Sequence, residues 1–224
     1  MIEGKLLLSS AYFPPVNYIS LISAVDSVLI EREETYLKQT YRNRCRICSA
    51  NGPLTLSVPV LFGTFHKSSL KSIRIDYTKR WQQVHLGAIE SSYRSSPYFE
   101  YYFDHIRDVI NIGHEFLTDL NMHSLNTALA LAGITTVVCY TNKFTKPCDA
   151  PGDFRYLLSP KKRESQLQFS LPEYPQVFSE RYGFVPELSI IDLLFNTGPD
   201  SLDYLRKIRF SNKKSPGQLT RAKD

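Results

Sequence analysis

Arg42–Phe62, RNRCRICSANGPLTLSVPVLF, is the stretch on which the fold reading turns. Two β-type runs flank Asn51-Gly52, a strong signal for a tight hairpin turn, so the spacing predicts an antiparallel hairpin. Pro59 places its second arm at an edge or on a bulge. If residues 41–47 are extended, Arg42, Arg44 and Arg46 share one face, while Cys45 and Cys48 point to opposite faces. Such a cysteine pair is poorly placed to ligate one metal ion. It also lacks a second Cys/His pair and the strand-to-helix setting of a redox motif, so both thiols are expected to be unbridged and metal-free. Three guanidiniums on one face could clamp a carboxylate or phosphate. The competing reading is a solvated face paired with Glu31, Glu33 and Glu34.

Working outward, Lys5–Ser9 reads as a buried strand stopped by Pro14-Pro15, and Val16–Val25 as a helix. SVLIERE, from Ser27, reads as a second strand and Ile73–Asp76 as a short one. Helices are expected from Thr78, from about Phe99, and from about Glu115 to Ala132, where Gly133 is suited to a left-handed cap. ITTVVCY is a β-branched strand. Residues 145–172, with four prolines and the basic run 161–163, form an irregular connection, and two short helices follow. The expected class is α/β, in the mixed α/β or α+β sense: a mixed sheet containing the antiparallel hairpin, packed with central helices. Residues 1–208 read as one domain and 209–224 as a basic, flexible tail.

Hydrophobic residues at 42% and charged ones at 22% fit an ordinary globular chain. No apolar run reaches the ~18–20 residues of a membrane span, and no signal peptide is evident. A cytoplasmic location is therefore expected. The net charge of +5 owes much to seven basic residues between Arg206 and Lys223. They raise nucleic-acid binding only as a weak option, since Phe210 is the one aromatic among them.

No G-x-G-x-x-G, Walker A or G-x-S-x-G motif is present, and the five histidines show no metal-binding spacing. No cofactor and no metal are implied. His85 is the best catalytic candidate. It lies one turn after Trp81 on an apolar helix face, where an imidazole is either satisfied in the core or lines a pocket. Tyr98, Phe99, Tyr101, Tyr102 and Phe103 make an aromatic cluster whose helical spacing favours core over a sugar-stacking platform. Asp192, three residues after Ser189, suggests a capping box.

AYFPPVNY, YRNRCRI, VPV, IRIDYTKRWQQVHLGAIESSYRSSPYFEYY, LNMHSLN, LAGI and YPQVF…GFVPELSIIDLLFNTGP, in this order over about residues 5–200, resemble the WbqC-like protein family. On that resemblance the family's Asn-Arg pair falls on Asn43 and Arg44, its tryptophan and histidine on Trp81 and His85, its Y…SPYF on Tyr93 and Ser96–Phe99, and its late Asp and Asn on Asp192 and Asn196. Many members carry His-Gln-Pro where this chain has Leu8-Ser9-Ser10, and many have a helix and a Ser-Gly segment where it has PGDFRYLLSPKKRES. The resemblance implies a bacterial setting in surface-polysaccharide (O-antigen-type) biosynthesis. It implies a transferase acting on an anionic or nucleotide-linked sugar, or else a carbohydrate- or anion-binding module without turnover. Under the first reading the arginines hold the anion and His85 moves a proton. Under both, Arg44 and His85 are expected to share one concave site near Tyr93 or Tyr98.

Overall fold

Strand β1 (Leu6–Ser9) and strand β2 (Ser27–Glu31) are joined through helix α1 (Val16–Ser23) and pair in parallel. This is the computed structural model of the chain; it describes residues 6–61, 68–144, 146, 152–160 and 167–212, with the Asn212 side chain excepted. The strand ends at Ser9, well before the Pro14-Pro15 expected to stop it, and Pro15 instead stands at the N-cap of the helix in extended conformation, its fixed φ suiting the entry. The Val16 N–H reaches Leu188 O, and Pro14 O accepts from the Ile190 N–H.

The hairpin runs through β3 (Arg44–Ser49) and β4 (Gly52–Ser57) and forms a sheet of its own. Its reversal lies at Ala50-Asn51, with Gly52 at φ 95° taking the conformation that a side chain would strain. Helices α2 (Trp81–Tyr93), α3 (Phe99–Asn111) and α4 (Leu117–Leu131) follow. The first begins at Trp81, not Thr78: the Thr78 N–H and hydroxyl turn back onto Asp76 Oδ1, which diverts that residue from capping. Ile73–Asp76 contributes only isolated bridges, from Arg74 and Ile75.

Strand β5 (Val137–Tyr140) completes the parallel sheet in the order β1-β2-β5. Then come β6 (Leu167–Ser170), α5 (Ser179–Tyr182), α6 (Ile190–Thr197), α7 (Ser201–Lys207) and β7 (Arg209–Asn212). The segment expected to be tail from residue 209 thus begins as a strand, paired with β6 over Leu167–Ser170. Phe210 supplies a reason, since its ring packs against Phe154 and Phe169. Residues 213–224 lie outside the described residues, as do 147–151 and 161–166 of the irregular connection. The class is mixed α/β, with parallel and antiparallel sheets.

Two apolar clusters make the interior. One lies around β1, α1, β2 and α7; the other lies between the hairpin and α2, α3 and the start of α4. α6 joins them: Ile190, Leu193 and Leu194 face the first, Ile191 and Phe195 the second. A helix buried all round has no polar face, so Asp192 in its middle demands an explanation.

Candidate functional site

In parallel sheets, ligands usually sit beyond the carboxyl ends of the strands. Here that edge is filled by a buried network of charges. Arg42 Nε and Nη2 donate to Glu34 Oε1 and Oε2 at 2.9 and 2.5 Å, and Nη2 also reaches Ser9 Oγ at 2.8 Å. Arg155 Nη1 donates to Glu31 Oε2 at 3.0 Å, and its Nε and Nη2 to Asp153 at 2.9 and 2.6 Å. Ser9 Oγ donates to Arg155 O at 2.8 Å, and Thr141 Oγ1 donates to Glu31. The Tyr156 ring lies between both guanidiniums, 5.8 Å from each. Burial raises the Glu34 pKa against the opposing pull of Arg42. The hollow among Ser9, Arg42, Phe154 and Arg155 is about 20 Å³, roughly room for one water. Arg42 therefore leaves the arginine face that the sequence predicts. Residues 41–43 form a turn, with the Asn43 N–H on Thr40 O, and the strand begins only at Arg44. Of the proposed acidic partners it takes Glu34. Glu31 and Glu34 are among the acidic partners that the sequence suggests, whereas Ser9, Thr141, Asp153 and Arg155 come from three other segments with no local motif, which is why the sequence does not reveal them.

Asn43, Arg44, Trp81 and His85 lie elsewhere, along the hairpin. A groove of about 330 Å³ runs past Lys38, Asn43, Arg44, Ser57, Pro59, Asp76 and Lys79. A second, about 350 Å³ and mostly apolar, runs past Leu54, Leu56, Ser57, Pro59, Lys79, Trp81, Val84 and His85. They adjoin, sharing Ser57, Pro59 and Lys79. Three buried polar atoms here, Asn43 Oδ1, Arg44 Nε and Trp81 Nε1, find no hydrogen-bond partner among the described residues. Leaving a buried donor or acceptor unmatched costs about 1–3 kcal/mol, so the cluster is unusual for a purely structural surface. Arg46 sits on the same strand, half-buried, and its carbonyl accepts from the Ser189 N–H.

His85 is 2% exposed and committed at both nitrogens. Nε2 lies 3.3 Å from Ser57 O, so it must carry the proton; Nδ1 then accepts from the Tyr12 hydroxyl at 3.1 Å. Trp81 meets the ring edge-on at 5.1 Å. Burial pulls the His85 pKa from 6.5 to about 4, so the ring is neutral near pH 7.

Tyr93, Tyr98 and Phe99 line neither groove. Tyr93 accepts from the Cys48 N–H at 3.1 Å and donates to Asp192 Oδ2 at 2.8 Å. Asp192 Oδ1 accepts from the Tyr174 hydroxyl at 2.6 Å and from Gln176 Nε2 at 3.0 Å. The capping-box expectation is thus half met. Ser189 caps α6 by accepting from the Ile191 N–H, while the Asp192 carboxylate turns inward. Desolvation raises the Asp192 pKa, opposed by Tyr174, Tyr93 and Gln176. Phe99 stacks on Phe103 at 4.6 Å within the core, and Tyr98 covers Gly198. Cys45 and Cys48 are buried free thiols. Among the described residues no helix is long and apolar enough to cross a membrane, and no group of three or more His, Cys, Asp or Glu could hold a metal ion.

These features define an α/β protein whose parallel sheet has a closed, charge-filled carboxyl edge and whose separate hairpin borders an open, basic and apolar groove. The chain belongs to the WbqC-like protein family, whose model matches residues 9–151 and 161–204. It is 29% identical over 230 residues to the uncharacterized protein Rv1507c of Mycobacterium tuberculosis, covering 91% of this chain and 97% of that one. No solved structure matches.

Proposed function

We propose that the hairpin groove binds an anionic, sugar-type ligand, and that the protein serves surface-polysaccharide biosynthesis through that binding. The observation that carries this reading is Arg44, whose buried Nε is unmatched among the described residues. It lies beside Lys38 and Lys79 in a groove that continues onto Trp81. A guanidinium with two lysines favours a carboxylate or phosphate. The apolar walls and the indole suit the non-polar face of a sugar or a base. Asp76 beside Lys79 leaves the groove basic rather than neutral. In this reading His85 positions Tyr12 and Ser57; with its lone pair and its proton both spent, it does not serve as a general base.

A transferase acting on a nucleotide-linked sugar is the second reading; it draws on the position of Ser9, Glu34 and Arg42 beyond the parallel strands and requires that closed edge to open around its ligand. Calorimetric titration with a nucleoside-diphosphate-linked uronic acid and with its neutral hexose counterpart tests the first. The uronate is expected to bind more tightly, and Arg44→Ala to weaken it by at least about tenfold, or ~1.4 kcal/mol. Equal binding of both compounds, untouched by Arg44→Ala, would overturn it.

A further inference from the structure

Two half-buried imidazoles meet where the turn after α3 passes α4, and neither lines the hairpin groove. His114 Nε2 and His123 Nδ1 are 3.0 Å apart, with ring centroids 5.2 Å apart and planes at 81°. Nine residues separate them in sequence, so no motif announces the pair. Both come from held backbone. The His114 carbonyl accepts from the Tyr77 hydroxyl at 2.8 Å, the Ile75 N–H reaches Glu115 O at 3.0 Å, and the Leu117 N–H reaches Ile73 O at 2.9 Å. His123 stands within α4 itself.

We propose that His114 and His123 chelate a borderline divalent cation, with Zn²⁺ as its representative. Imidazole nitrogens suit zinc, nickel and copper. Two of them on one tetrahedral ion, each at about 2.0–2.1 Å, are roughly 3.3 Å apart. The observed 3.0 Å needs an opening of only a few tenths of an ångström, achieved by small ring rotations. In the free pair one of the facing nitrogens carries the proton. Cation binding moves that proton to the other nitrogen of the same ring by exchange with water, so both rings stay neutral. Asp119 precedes His123 by four residues and so shares its face of α4. With no third ligand side chain in the cluster among the described residues, water completes the coordination. The site is therefore exchangeable, unlike a closed four-ligand structural site.

Zinc chloride titrated into the full chain, with exposed Cys139 replaced by Ser, tests this through the histidine ring ¹⁵N resonances and the binding isotherm. The expected result is one ion bound, with the His114 and His123 rings shifting together. His114→Gln and His123→Gln should each lower affinity by at least about tenfold. Unmoved rings in excess zinc, or affinity retained in either variant, would overturn the chelate and leave the pair a plain hydrogen bond.

Discussion

Asp192 is a carboxylate in the middle of a helix that has no polar face, and three donors on other segments hold it there. Asp192→Ala would leave the Tyr93 and Tyr174 hydroxyl protons without an acceptor in the core, while Gln176 keeps its bonds to Val185. Each unmatched buried donor costs about 1–3 kcal/mol, to be read as a fall in the urea midpoint. His85 allows a pH test. Its folded pKa, about 4, lies below the unfolded value of 6.5, so its contribution is present above pH 6.5 and is lost as pH falls from 6.5 towards 4. Between pH 7 and pH 5 the wild type should lose about 2 kcal/mol relative to His85→Gln, given 1.36 kcal/mol per pKa unit. Parallel stability curves for the two proteins would show that the imidazole does not titrate on unfolding. Neither role was legible beforehand: spacing placed Ser189 and Asp192 on one helical turn and His85 on an apolar face, but only the tertiary packing says which way each side chain turns.

At the scale of elements, α6 must approach α3 closely, and Gly198 permits it. A Cβ there would stand 2.5 Å from the Tyr98 ring, at φ 54°. Gly133 caps α4 at φ 68° with nothing within 4 Å. Gly133→Ala should therefore cost about 1 kcal/mol, the conformational penalty alone, and Gly198→Ala clearly more, in a thermal melt. The arginines of the opening stretch divide in the same way. Arg42→Ala leaves Glu34 buried without its partner and should destabilise by about 3–5 kcal/mol, whereas joint replacement, Arg42→Met with Glu34→Leu, should recover most of that. The hairpin, the helices and Gly133 were readable because local periodicity and turn chemistry determine them. Where β3 begins was not, since that depends on Asn43 bonding across to Val58, and this start removes Arg42 from the shared face.

For the whole molecule, two apolar clusters meet through α6 with its buried Asp192 network, and two further polar regions lie at their margins. One margin, the carboxyl edge of the parallel sheet, is closed over its ion pairs. The other, along the hairpin, is open and carries the unmatched groups at Asn43, Arg44 and Trp81. On the proposed function the ligand enters the open one. Backbone and indole amide shifts in an ¹H–¹⁵N spectrum, followed through titration with the nucleotide-linked uronic acid, test it directly. Saturable shifts are expected at Asn43, Arg44, Val58, Lys79 and the Trp81 indole N–H, with Ser9, Glu34 and Arg155 unmoved; shifts centred on Ser9, Glu34 and Arg155 instead, or none at the hairpin, would place the ligand elsewhere.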